Sequence, residues 1–363
     1  MDVHWQQSSY EPYLPVTEKS NPITRDIDRA NPKEIVQMLQ QCDAEIFEKT
    51  SHGNPMYQPE AISGSTRMKG GGATKIILET ILLAGHQAAF SNKAVTVNGI
   101  LHSLNMFEKV HQITYRQPTA LANLVQKAAI SCILDFIPGF EDIRGFVGNG
   151  FSEMNNTEGD LSSLGPHFII DHKDFVDTIL PNLSDHDTVI FLYSENDNLN
   201  DVLLLAKNVR QHTSNLHAIK HELIGLGDPK QYWELSTKLC LNVISTGAHI
   251  LIGKVYMNYM IDLRVTNSKL YRRAIHILQR FTGSTEAQCE TALLRALYDV
   301  EELTDEMVLN DVTQHTLVAK ERANVVPIAL VMLQSGRTIA EAKAYLDTYS
   351  VIRDAVAACQ KLL

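Results

Sequence analysis

The stretch "DTVIFLYSENDNLNDVLLLAKNVRQHTSNLHAIKHEL", Asp187 to Leu223, constrains the fold more than any other part of the chain. "DTVIFLY" is a short β-branched and aromatic run, "SENDN" a polar turn, "LNDVLLLAKNVRQHT" has helical periodicity, and "LHAIKHEL" supplies a second candidate strand. A strand that returns through a helix lies parallel to the strand it left, so this order predicts an α/β fold on a parallel, doubly wound sheet. Ligands and partners of such sheets meet the loops at the carboxyl ends of the strands.

The rest of the chain reads as helix. "NPKEIVQMLQQCDAEIFEKT" carries apolar residues at Ile35, Met38, Leu39 and Cys42, and helices are expected from Ala73 to about Phe90, from about Val97 to Tyr115, and onward from Pro118. From Leu235 nearly everything is helical, ending in "VVPIALVMLQSGRTIAEAKAYL", a small terminal bundle. Residues 1–30, rich in Pro, Ser and Gln without period, read as a mobile N-terminal arm. "TKIILETILLAGH" (Thr74 to His86) aligns without gaps on "TKLCLNVISTGAH" (Thr237 to His249), which favours duplicated α/β units.

Composition removes several classes of function. Acidic residues outnumber basic ones, giving a formal net charge of −10, so general attraction to nucleic acid is not expected and a small anion would need a local cationic pocket. No basic start is followed by an apolar core, and no apolar run reaches the length of a membrane span, so a soluble intracellular protein is expected. The five cysteines are scattered without a C-x-x-C pair; they read as buried small hydrophobes, with neither disulfide framework nor zinc site. No cofactor, no metal and no catalytic residue is assigned. "SENDNLND" lacks the ligand spacing and central Gly of an EF-hand and reads as a solvated turn suited to partner contacts.

The residues that could carry chemistry lie in "SGSTRMKGGGATK". Spacing excludes a Walker A loop, because Gly64 is followed after four residues by Lys69, and Lys75 is followed by Ile76. Ser65 and Thr66 offer hydroxyls, Arg67 and Lys69 positive charge, and Gly70 to Gly72 a permissive backbone ahead of a helix whose N-terminus favours anions. That set suits a phosphate ester; a simple helix cap with a tight glycine entry is the equally weighted alternative. Lys238 opens the repeated helix and, taken alone, is an ordinary solvated lysine. His86 and His249 are read as packed helix residues.

"PEAISGSTRMKGGGATK" and "LSTKLCLNVISTGAHILIGKVYMNYMIDLRVTNSKL" resemble the sugar-isomerase-fold family that contains the bacterial N-acetylmuramic acid 6-phosphate etherases and the animal glucokinase regulators. The doubled helix, "FEDIRGF", "ILPNLSDHDTVIFLYSENDNL" and the long helical tail favour the regulators. The resemblance implies tandem sugar-isomerase units: a helical remnant of the first over residues 31–117, a shortened second over 118–282, and a C-terminal all-helical lid over 283–363. It implies a nuclear and cytoplasmic regulator that inhibits glucokinase, favoured by fructose 6-phosphate and released by fructose 1-phosphate. It carries Ser65, Thr66, Arg67 and Lys238 onto the phosphosugar site, and Asn198 and Leu199 onto the glucokinase-facing surface.

The chain departs from the family pattern. Only a short connector, Glu48 to Ala61, stands where the family places a complete first sheet with its Gly-rich phosphosugar loop, and "VQKAAISCILDFIPGFED" and "LIGLGDPKQYWE" replace longer stretches. The expectation is an incomplete tandem fold with impaired phosphosugar sensing. Two other readings are an etherase-like lyase, whose acid/base carboxylates would lie in the absent sheet, and a scaffold remnant that binds no sugar.

Overall fold

The computed structural model describes residues 27–48, 60–63, 68–91, 94–134, 173, 175–194, 197–223, 226, 230–319 and 322–360. Four helices come first: α1 (Pro32–Glu48), α2 (Lys69–Phe90), α3 (Val97–Thr114) and α4 (Pro118–Leu134). The β-α-β unit follows as β1 (Val189–Ser194), α5 (Leu199–Val209) and β2 (Leu216–His221), then α6 (Lys230–Leu251) and the small hairpin β3 (Val255–Tyr256) and β4 (Tyr259–Met260). The chain continues through α7 (Ser268–Thr282), α8 (Glu286–Tyr298), α9 (Asp305–Leu309), α10 (Val312–Ala319), α11 (Val325–Ser335), α12 (Ile339–Asp347) and α13 (Ile352–Gln360).

The strands pair as their order requires. β1 and β2 are parallel, in register from Val189 opposite Leu216 to Ser194 opposite His221. Among the described residues this sheet has two strands, so the architecture is α/β with helices dominating. The β3–β4 hairpin escapes sequence reading because each strand is two residues long, too short for alternation to register.

Local chemistry sets the helix ends. Asn31 opens α1 with its side-chain oxygen accepting from the Lys33 and Glu34 amides, while Glu34 accepts from the Asn31 amide, a reciprocal capping box ahead of Pro32. Thr285 with Gln288 and Thr338 with Glu341 repeat the device at α8 and α12. Gly283 ends α7 at φ 68°, a left-handed position that glycine takes without a Cβ penalty.

Two cores result. The first gathers α1, α2, α3, α4 and α6 around Ile35, Leu39, Phe107, Leu121, Val125, Leu235 and Val243. Gly247 on α6 permits its closest crossing, because an added Cβ would lie 2.7 Å from Val125 Cγ1 and 3.3 Å from Ile35 Cγ2. The second core joins α7, α8, α10, α12 and α13 around α11, where Val325 to Met332 are buried in an unbroken run; a helix apolar on all sides takes the centre.

The expected mobile arm needs one correction. Its last residues, Ile27 to Ala30, belong to the folded unit: Ile27–Arg29 form a 3-10 turn, Ile27 is fully buried, and the Arg353 guanidinium donates to the Asp28 carbonyl. A single apolar residue has no period to betray it. Residues 1–26 lie outside the described residues.

Candidate functional site

The glycine-rich motif enters α2 under the control of an acidic residue. Glu60 accepts from the Lys69 amide at 2.9 Å and from the Gly70 amide at 2.7 Å, so the chain's own carboxylate caps the first amides of α2. The Lys69 ammonium bonds Glu45 at 2.8 Å with its side chain 1% exposed. Lys69, read from sequence as a cation available to an anion, is instead a buried strut between α1 and α2. Gly72 brings α2 close to α1, since a Cβ there would stand 3.2 Å from Ile46 Cδ1.

Ser65, Thr66 and Arg67 lie outside the described residues. Both borders of their loop are pinned. The Ser63 amide donates to the Asn258 carbonyl at 2.6 Å beside the β3–β4 hairpin, and Thr246 on α6 directs its hydroxyl to Met68 Sδ at 3.6 Å. α6 is the helix that carries Lys238.

Lys238 lies in a buried electrostatic cluster. Burial lowers the pKa of its ammonium, the carboxylates of Asp43 and Glu60 act in the opposite sense, and Lys75 lowers it further. Asp43, 1% exposed on α1, accepts from Tyr115 Oη at 2.7 Å through Oδ2, while Oδ1 has no hydrogen-bond partner among the described residues. Burial pushes the Asp43 carboxyl up to about 6, against the Tyr115 hydrogen bond and the Lys238 charge. Burial likewise raises Glu60 against its two amide donors, and Tyr115 well above the usual phenol range.

Its counterpart in the repeat behaves differently. Lys75 on α2 bonds Glu79 one turn on and Glu234 of α6 at 2.6 Å, tying the two repeated helices together. Lys75 thus ties α2 to α6, while Lys238 lies within the electrostatic reach of Asp43 and Glu60.

A second polar chain looks like a nucleophile and base, but it is sealed from solvent. Ser236 Oγ lies 2.7 Å from both His221 Nδ1 and Thr114 Oγ1, and Thr114 Oγ1 lies 2.8 Å from the Val110 carbonyl. Ser236 is fully buried and His221 is 4% exposed, so the pair is closed to a substrate. Burial also lowers the His221 pKa to about 4, so the neutral ring is the resident form. The chain locks β2 to α6 and α3.

At the carboxyl end of β1, Asn198 caps α5 by accepting from the Asn200 amide at 3.1 Å. Leu199 is 55% exposed, and Leu203 and Leu204 continue the apolar face at 57% and 60%. Cys42, Cys240, Cys289 and Cys359 are buried free thiols; the Cys132 side chain lies outside the described residues. Among the described residues no group of three His, Cys, Asp or Glu could hold a metal ion, and no helix is long and apolar enough to cross a membrane.

Asp43, Glu60, Glu45 and Tyr115 were not singled out from the sequence. One signal was present: Asp43 stands on the apolar stripe of α1, four residues after Leu39 and three before Ile46. A carboxylate there needs a reason.

Comparison with known proteins supplies the relationship. Residues 88–232 match the model for the second SIS domain of glucokinase regulatory protein, and residues 257–356 match that for its C-terminal lid domain. The glucokinase regulatory protein of Rattus norvegicus is 36% identical over 403 aligned positions, covering 95% of this chain and 64% of the relative; that of Homo sapiens is 34% identical over the same span. The chain thus spans less than two thirds of the length of these relatives. The alignment is longer than the 363-residue chain itself, so at least 40 aligned positions belong to the rat relative alone. The N-acetylmuramic acid 6-phosphate etherase of Erwinia tasmaniensis is 50% identical, but over 76 positions covering 21% of this chain. With SIS and lid models in chain order and similarity across nearly its whole length, the chain belongs to the glucokinase regulatory protein family.

Proposed function

We infer that the chain is a sugar-phosphate-responsive inhibitory regulator of glucokinase rather than an enzyme. Fructose 6-phosphate favours the inhibitory complex and fructose 1-phosphate releases it. Ser65, Thr66 and Arg67 grip the phosphate, Lys238 reaches the phosphosugar from α6, and Asn198 with Leu199 faces glucokinase. The protein acts in nucleus and cytoplasm.

The observation that carries this reading is the position of Lys238. It shares the field of Glu60, which caps the helix directly after the Ser65–Arg67 loop, and it is half-withdrawn from water, where a charge-assisted bond to phosphate is worth more than at the surface. The ether-cleaving alternative is weaker. The Ser236–His221 pair is buried away from any substrate, and by the family resemblance the carboxylates that would give acid/base assistance worth roughly 10²–10⁴-fold in rate belong to the sheet for which the sequence has only a short connector. Because the family's Gly-rich loop has no counterpart in the sequence, affinity for fructose phosphates is expected to be impaired.

Calorimetric titration with fructose 6-phosphate tests the site. Lys238→Ala should weaken binding by about 1.5–3 kcal/mol, the worth of one hydrogen bond to a charged group. Unchanged affinity removes Lys238 from the site.

A further inference from the structure

α2 presents an uncharged seam to solvent. Thr74, Leu78, Ile81, Gly85 and Ala88 are all exposed and recur at intervals of four, three, four and three residues, the spacing with which one helix packs along another. Leu78 is 53% exposed, Ile81 61%, and the flanking Leu82 69%. Between Lys75 and Phe90 the sole Asp, Glu, Lys or Arg is Glu79, which is turned to Lys75. Phe90, Val95, Val97 and Leu101 extend the exposed apolar face onto the start of α3. The face is about 20 Å long and about two helix diameters wide. That is several hundred Å² per molecule, more than scattered surface residues account for and approaching the roughly 800 Å² each partner gives a standard interface.

We propose that this seam docks a second copy of the same chain, α2 against α2 of the other copy, antiparallel about a two-fold axis. The seam is self-complementary in that register. With the axis between Ile81 and Leu82, Leu78 falls opposite Gly85 and Gly85 opposite Leu78, while Thr74 falls opposite Ala89. Bulk meets space in both directions, as an isologous contact requires. Gly85 offers that space, because a Cβ added there meets nothing within 4 Å in the single chain. Charge permits the same occupant: two molecules of net charge −10 repel over most approaches, but the seam sets no like charges against each other. A partner chosen by opposite charge would find nothing on the seam to read. The dimer does not rest on the regulatory reading above.

Sedimentation equilibrium of the full chain from about 1 to about 100 µM tests it, across the affinity range open to an interface of this size. Wild type should be a dimer. The double substitution Ile81→Lys with Leu82→Lys should raise the dissociation constant at least ~100-fold by burying charge at the centre. Gly85→Leu is the sharper variant: the single chain has room for the new side chain, whereas the dimer needs that room for Leu78. It should separate the copies with far-UV circular dichroism unchanged. A monomeric wild type over the whole range overturns the proposal, as does a dimer indifferent to both variants or open-ended association without a defined stoichiometry.

Discussion

Asp43→Asn separates two opposite accounts of the buried cluster. If Asp43 and Lys238 were a well-compensated buried ion pair, removing one charge would strand the other and cost about 3–5 kcal/mol. The direction of the Asp43 shift argues otherwise. A pKa raised from 3.8 to about 6 means that burial penalises the carboxylate more than Tyr115 and Lys238 stabilise it. An acid whose folded pKa lies above its unfolded value holds its proton more tightly when folded, so its ionisation weakens the fold as pH rises from near 4, and the penalty is complete above about 6. For this shift the penalty is about 3 kcal/mol at pH 8 and about 1.5 kcal/mol at pH 5. Asparagine keeps the shape and can accept from Tyr115 Oη, but never ionises. Asp43→Asn should therefore stabilise the protein by up to about 3 kcal/mol at pH 8, and by roughly half as much at pH 5. Urea unfolding at both pH values measures the difference. Destabilisation of several kcal/mol at pH 8, or a gain that does not shrink at pH 5, would refute the reasoning.

Further outcomes follow from packing and exposure. Gly247→Ala should cost about 1–2 kcal/mol on thermal unfolding, because steric conflict with Val125 and Ile35 exceeds the gain in helix propensity; an unchanged or higher Tm would mean that α6 stands further from α1 and α4. Leu199→Arg should leave stability within about 0.5 kcal/mol and weaken glucokinase capture at least ~10-fold, read by surface plasmon resonance with circular dichroism as the control. Lost capture accompanied by lost helicity would make Leu199 a folding residue instead.

The sequence was most readable where structure is local. Apolar spacing placed α2, α3, α4 and α5 within a few residues, and the β-branched run gave β1, because each element announces itself inside one window. Features that depend on distant partners were not readable. Lys69 looks like a ligand-binding cation until Glu45, 24 residues earlier, is brought to its ammonium. Lys238 looks like a solvated lysine until α1 sets Asp43 near it and the α2 entry sets Glu60 near it. Glu60 gave no sign of capping α2, since it reaches the amides across nine and ten residues rather than from a standard N-cap position. The exposed face of α2 was half legible: its apolar content implied a cover, and the short connector before it implied that the cover is not a sheet of this chain.

The central claim is that this chain restrains glucokinase in response to fructose phosphates. The direct measurement is glucokinase turnover at fixed glucose, titrated with purified chain alone, with fructose 6-phosphate, and with fructose 1-phosphate added, the rat relative run alongside. The account predicts inhibition that deepens with fructose 6-phosphate and is relieved by fructose 1-phosphate, with both responses lost in Lys238→Ala. Glucokinase turnover indifferent to the chain under all three conditions would contradict it.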